Sequence, residues 1–440
     1  MDQGGRTSVV QLLSRALLSI RTTPPRIIAS PATQPRRAAV AIVIRVVPSA
    51  SPFPNDTSIP TLDQFFDLAW VNHPSARPEI LFVRRSGLTP DGVPGPTGDS
   101  GPKAKNNEEV HLAFPGGRTE DGDEGGLYTG MCRRDLNKTR RFTQRTAMRQ
   151  TWEETGLDLA ERDFICIGQL DDREITTSLG KRLLMILSPF VFLQLTPNTL
   201  PTDPAEGTTI HWIPLESLVS PVLPRAVPRT ALAGRWSSVT VDAASRLAPR
   251  HAASLKVLVR LLLGSMQFPA ILIYLPDPDS RAQPEKTYTD TVSSQTMRTY
   301  DLKLWGLSLG MTLDLLAKMV SDTEFGTGYP SATLRLPFHP VGGEGMRIDA
   351  VAPSLASVFP RFSYPDVNFW IWVFGKRYRE VIRSWESSMR EGGANDKRLN
   401  WAGTALSNFY AAVRKALLVV LVLRAIGVLF GLAVLGWWII

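Results

Sequence analysis

The chain has 440 residues, 20% charged and 43% hydrophobic, with a formal net charge of +8. That length exceeds one ordinary core, the composition excludes global disorder, and two cysteines exclude a disulfide scaffold or a Cys-rich zinc site. Seven arginines and a single acid, Asp2, lie in the first fifty residues. The remainder is therefore nearly neutral, and no basic stripe interleaved with aromatics is present, so no nucleic-acid partner is expected.

In chain order, residues 1–35 are rich in Arg, Ser and Thr, and their apolar stretch Val9–Ile20 is broken by Arg15. They read equally as a disordered basic tail or a mitochondrial targeting segment. Ala38–Val47 is a β-branched run that predicts a buried strand, and Ile80–Arg84 predicts a second. Residues 87–107 form a Gly/Pro excursion. Further strands are predicted at Phe164–Gly168, Leu183–Leu195, Thr209–Ile213 and Ala270–Leu275, and helices at Ala253–Leu263 and Leu307–Met319. Residues 321–415 read as a Gly/Pro-rich linker followed by an amphipathic helical region. In that region Phe369–Arg383 turns from aromatic to basic, which suits packing under the domain or a membrane interface.

Ala416–Ile440 is 25 residues with one charge, Arg424. Such a segment is long enough for a hydrocarbon core of roughly 30 Å. Arg424 can snorkel toward Arg414–Lys415, and Trp437 and Trp438 suit an aromatic belt. The expectation is a single-pass C-terminal anchor with the domain on the cytosolic face, the organelle (mitochondrion, peroxisome or endoplasmic reticulum) left open.

The chemistry-bearing stretch runs from Phe114-Pro115-Gly116-Gly117-Arg118 to Arg149-Gln150-Thr151-Trp152-Glu153-Glu154-Thr155-Gly156-Leu157. Paired glycines let the backbone approach a ligand closely. The second segment predicts a helix, with Arg149/Glu153 and Gln150/Glu154 at i,i+4, stopped by Gly156. Adjacent carboxylates facing a glycine loop make a hard-oxygen site suited to Mg²⁺ or Mn²⁺ holding phosphate. The five histidines (73, 111, 211, 251 and 339) have no ligand-like spacing.

This pattern resembles the Nudix family box, G-x5-E-x7-R-E-U-x-E-E-x-G-U. Gly117 matches the first glycine, Asp123 takes the place of the first acid, and Arg149, Glu153, Glu154, Gly156 and Leu157 match the second half in register. The resemblance implies an α/β fold, a Nudix α/β/α sandwich over residues 36–320 with long insertions, plus the C-terminal transmembrane helix (416–440). It also implies Glu153, Glu154 and Gly117 as metal-binding, Arg149, Gln150, Glu153 and Glu154 as catalytic positions, and Arg85, Gly116 and Gly117 as substrate-binding. Three departures stand out: an insertion between Asp123 and Arg149, Thr151 at an aliphatic position, and Gln150 where the family has glutamate. A neutral amide cannot accept a proton. Either a later acid (Asp171, Asp172, Glu174 or Glu206) serves as base, or catalysis is weak or absent.

Leu81–Ser86, then Leu112-Ala113-Phe114-Pro115-Gly116-Gly117 with Glu120 and Asp123, and Glu206 before His211-Trp212-Ile213-Pro214-Leu215, resemble the coenzyme A diphosphatase branch. That branch's H-x-G-Q element is replaced by Val110-His111. The resemblance implies metal-dependent hydrolysis of a nucleoside diphosphate-linked compound, with a coenzyme A-like substrate first. The alternative is a membrane-tethered domain that binds such a ligand with little or no catalysis. A competing signal, Gly306-Leu307-Ser308-Leu309-Gly310, matches a serine-hydrolase elbow. Such an enzyme needs a downstream histidine, and His339 is the one available.

Overall fold

The computed structural model describes residues 8–30, 36–48, 59–85, 111–120, 123, 136–176, 183–198, 200–222, 234–244, 253–276, 299–319, 333–334, 346–347, 357, 359–390 and 401–439. The Gly/Pro excursion 87–107, Cys132 and His339 lie outside them.

The β-branched run forms β1 (Arg37–Val47), buried on both faces and hence central. It pairs in parallel with β6 (Leu183–Gln194) and antiparallel with β2 (Arg77–Arg85) and β3 (Gly116–Arg118). β4 (Phe164–Gln169) and β5 (Arg173–Thr176) run antiparallel to β6, and β7 (Thr208–Pro214) lies outside β2. The result is a seven-stranded mixed sheet, ordered β4-β6-β1-β2-β7 along its main path.

Side chains alternate across β1. Ala39, Ala41 and Val43 join Leu81, Phe190 and Phe192 on the face covered by α3 (Leu136–Thr155). Ile42 and Ile44, with Ile80 and Phe82, face the larger core on the other side. That core is closed by α1 (Val9–Thr22), α4 (Leu215–Val222), α6 (Gly306–Met319) and a second sheet. The second sheet places β9 (Ser265–Pro276) antiparallel to β8 (Arg235–Asp242), β10 (Thr299–Trp305) and β13 (Arg361–Phe362). β11 (Thr333–Leu334) and β12 (Met346–Arg347) pair with each other. A short α2 (Leu62–Phe65) precedes β2, and α5 (Ala253–Leu263) precedes β9. The fold is thus mixed α/β with open sheets, and its second face is covered partly by a sheet rather than by helices alone.

Two segments differ from expectation. Residues 8–30, read above as a tail or targeting peptide, are built into the core. Ser8 caps α1 through a reciprocal box with Gln11, and Leu13 and Leu17 are fully buried. The apolar spacing that makes a presequence amphipathic is the same spacing that makes a helix pack, so composition did not separate the two.

The C-terminal region is likewise attached directly to the domain. β13 pairs with β9, and α7 (Pro365–Phe374), α8 (Lys376–Arg390) and the base of α9 (Trp401–Ile439) pack together. Phe362, Ile371, Ile382, Phe409 and Val413 belong to the main core cluster. The expected single element Phe369–Arg383 is two helices, parted at Gly375.

Candidate functional site

The glycine strand and the helix meet at one end of the main sheet. Gly117, paired with Ala39, lies under the Gln150 side chain. A β-carbon there would come within 2.0 Å of Gln150 Oε1, so any side chain at 117 would push the amide aside. Gly156 stops α3 with φ of +74°, its N–H bonded to Trp152 O at 2.8 Å.

Arg149 is the hub. Its Nε donates to Asp123 Oδ1 at 2.6 Å, its Nη1 to Glu153 Oε1 at 2.8 Å, and its Nη2 to the Arg118 carbonyl at 3.3 Å. Glu120 stands 3.5 Å from Nη1. The Thr146 hydroxyl and Glu120 N–H donate to Asp123 Oδ2 at 2.8 and 3.0 Å. Burial alone would raise the Asp123 carboxyl, but the bonds from Arg149, Glu120 and Thr146 outweigh it, and its pKa is lowered. The Asp123 bond, then that of Glu153, pushes the Arg149 pKa up against the opposing effect of burial. Gln150 Nε2 donates to Glu153 Oε2 at 2.8 Å.

Glu154 faces the other way, toward the sheet. Arg85 Nη2 contacts both of its oxygens, at 2.5 and 2.7 Å, and Gly116 N–H approaches at 3.4 Å. Burial raises the Glu154 pKa despite Arg85. The structure therefore gathers Arg85, Gly116, Gly117, Asp123, Arg149, Gln150, Glu153 and Glu154 into one neighbourhood.

The later acids separate. Asp172 accepts from Arg37 at 2.5 Å, from Ile28 N–H at 2.9 Å, and from Gln169 and Ser188, both at 2.7 Å. Asp171 accepts from Arg26 N–H. Both are tied into the frame and neither is a base at this site. Glu174 lies on β5, at the sheet edge beyond β6. Glu206 is placed beside α3, because its neighbour Ala205 donates to the Glu154 carbonyl.

Two other sequence signals resolve. Ser308 is buried in the first turn of α6, after a Gly306 with φ of +62°, so the strand-to-helix elbow is real. Among the described residues no imidazole or carboxylate is recorded hydrogen-bonded to its hydroxyl. His111, at the position of the missing H-x-G-Q element, accepts from Trp305 Nε1 at 2.8 Å and helps join the two sheets.

For metal, the donor set is incomplete. No group of three or more His, Cys, Asp or Glu that could hold an ion occurs among the described residues. The two adjacent glutamates diverge, each already engaged by a guanidinium. Among the described residues, Glu120, Asp123 and Glu153 gather around Arg149, and Glu154 pairs with Arg85.

No protein-family model matches the chain. It is similar to Uncharacterized protein C14C4.10c of Schizosaccharomyces pombe, with 27% identity over 256 residues, 58% of this chain and 60% of that protein. The chain thus spans less than two thirds of its curated relative. Among solved structures it is similar to a MutT/nudix family protein from Enterococcus faecalis, at 11% identity and a TM-score of 0.19, over 47% of this chain and 51% of that one. At that TM-score the likeness carries no weight beside the local geometry.

Proposed function

We propose that residues 36–320 form a Nudix-like domain, braced by residues 8–30 and tethered to a membrane through 416–440. It binds a nucleoside diphosphate-linked small molecule and hydrolyses it slowly. A coenzyme A-type diphosphate is the first ligand to test. The observation that carries the reading is Gln150, whose amide rests on Gly117 and donates to Glu153 where a family member would present a carboxylate. An amide there can orient but cannot take a proton from water.

The charge balance adds a constraint. An anionic diphosphate meets the exposed carboxylates of Glu120 and Glu153 at this rim, so it binds best with a divalent ion. Mg²⁺ commonly uses only one or two carboxylates and completes its shell from phosphate and water. The surface carboxylate of Glu153 suits that arrangement, with Glu154 joining only when Arg85 releases it and the ion arriving with the ligand rather than residing in the free protein. The domain's own contribution is to position the phosphates against the glycine strand, with Arg85 released from Glu154 to meet them.

The test uses the full chain in detergent, because α1 and the C-terminal helices share the core. Calorimetric titration should show coenzyme A-type binding with Mn²⁺ and little without it, and Glu153→Gln should weaken the metal-dependent part. Turnover of the unaltered protein should be low, and Gln150→Glu should raise it by about 10²–10⁴-fold, the range for a positioned general base. No binding of any diphosphate overturns the proposal. Fast turnover that Gln150→Glu leaves unchanged, but Glu206→Gln abolishes, makes the protein a full hydrolase with Glu206 as base.

A further inference from the structure

α9 carries the segment read as membrane-spanning, and its contacts fix the depth of a second element. Its base is buried against α7 and α8 as far as Val420, and from Leu421 onward its large apolar side chains stand exposed. Trp437 and Trp438 at its far end are 81% and 85% exposed, as in an interfacial belt. Counting back from Trp438, Arg424 is fourteen residues away, about 21 Å of helix at a rise of about 1.5 Å per residue. A hydrocarbon core of about 30 Å then places Arg424 roughly 9 Å inside the near boundary.

Arg424 does not go there alone. It donates to Asp366 in the first turn of α7 at 2.7 Å, and its guanidinium lies 4.4 Å from the ring centre of Tyr364. The Tyr364 hydroxyl donates in turn to the Leu261 carbonyl of α5 at 3.3 Å. Whatever depth Arg424 takes, the start of α7 and the end of α5 take with it.

The surfaces at that level are apolar. Phe369, Trp372 and Val373 fall at i, i+3 and i+4 on one exposed face of α7, while Val367 and Ile371 on the opposite face are buried in the core. Val257 and Leu261 of α5 are about as exposed as the spanning part of α9. Exposed Lys376, Arg377 and Arg383 of α8 follow directly after α7, a pattern suited to anionic headgroups.

We propose that α7 is a second membrane element. It lies in the near leaflet beside α9 with Phe369 and Trp372 in the acyl boundary, and the Arg424–Asp366 pair couples the two helices and neutralises the charge within the leaflet. The domain would then be clamped against the bilayer rather than suspended from it. This rests on α9 being a span, and the test separates the two.

A photoreactive p-benzoylphenylalanine is placed in the full chain at Phe369, at Val428 in α9, or at Glu161 on the domain surface. Each protein is reconstituted in phosphatidylcholine–phosphatidylserine vesicles with a radiolabelled acyl chain. The expected result is lipid adducts at 369 and 428 and none at 161. Lipid at 428 with no adduct at 369, or a protein adduct at 369 in native membranes, overturns the proposal while leaving the anchor intact. No lipid at 428 removes the span, and with it the depth assigned to α7. The same probe at Trp372, on the same face, must agree, which guards against local misfolding at position 369.

Discussion

Two arginine–carboxylate clusters flank the start of β1 and serve different ends. On the β6 side, Asp172 is excluded from solvent and takes donors from Arg37, Ile28 N–H, Gln169 and Ser188. On the β3 side, Arg149 is about a quarter exposed and holds Asp123 behind it and Glu153 at the surface. An acid whose oxygens are all occupied by frame donors is structural, however suggestive its place in the sequence. An acid whose partners leave one edge to solvent can still meet a ligand. The pairing geometry, more than the residue type, sorts the acids of this chain.

The largest effect should come from the buried cluster. Asp172→Ala leaves Arg37 buried without its counter-charge, and breaking such a pair costs about 3–5 kcal/mol. Denaturant unfolding in detergent measures it, and a loss under about 1 kcal/mol, the scale of an exposed pair, would erase the contrast between the clusters. Next is α1, which leads into the segment that this cluster holds through Arg26 and Ile28. Leu17→Ala should cost about 2–5 kcal/mol, the range for a fully buried leucine. Unchanged stability would return residues 8–30 to the status of a tail.

The surface cluster should respond less and with pH. Asp123→Asn should cost about 1–3 kcal/mol at neutral pH through its bonds to Arg149 and Thr146. Because the folded pKa of Asp123 is lowered, its contribution is present above the unfolded value, about 3.9, and is lost as pH falls through the lower folded value. The melting difference between the two proteins should therefore narrow below about pH 4. Glu154 runs the other way: burial raises its folded pKa, so acid relieves a cost instead of removing a gain. Smallest of all is Arg77→Ala. Arg77 pairs with Glu79 at 2.7 Å but is 59% exposed, and Arg45 still holds Glu79. That substitution should change stability by less than about 1 kcal/mol.

Much of the frame was legible beforehand. The expected strand at Ala38–Val47 forms over Arg37–Val47, Leu183–Leu195 forms over Leu183–Gln194, and the helix Ala253–Leu263 forms with those bounds. Long β-branched or apolar runs declare themselves because burial on both faces demands them. β3, β5 and β8 were not foreseen. Gly116–Arg118 and Arg173–Thr176 are short and carry little apolar signal, and they become strands only because the edges of β1 and β6 offer hydrogen bonds. β8 is half-polar and is held by β9 along its length.

By itself the sequence determined the paired glycines, the box helix with its adjacent glutamates, the amide at position 150 and an apolar helix long enough to cross a membrane. These are local signals, set by spacing along one element. The tertiary structure decided what spacing cannot encode. It turned Glu153 and Glu154 toward different arginines, made Asp172 a buried tie and packed an amphipathic N-terminal helix into the core. It also joined the base of α9 to the domain, so that Arg424 meets Asp366 across 58 residues of chain. Each of these outcomes depends on which partner a side chain meets across the core, and that is fixed only when the elements have packed.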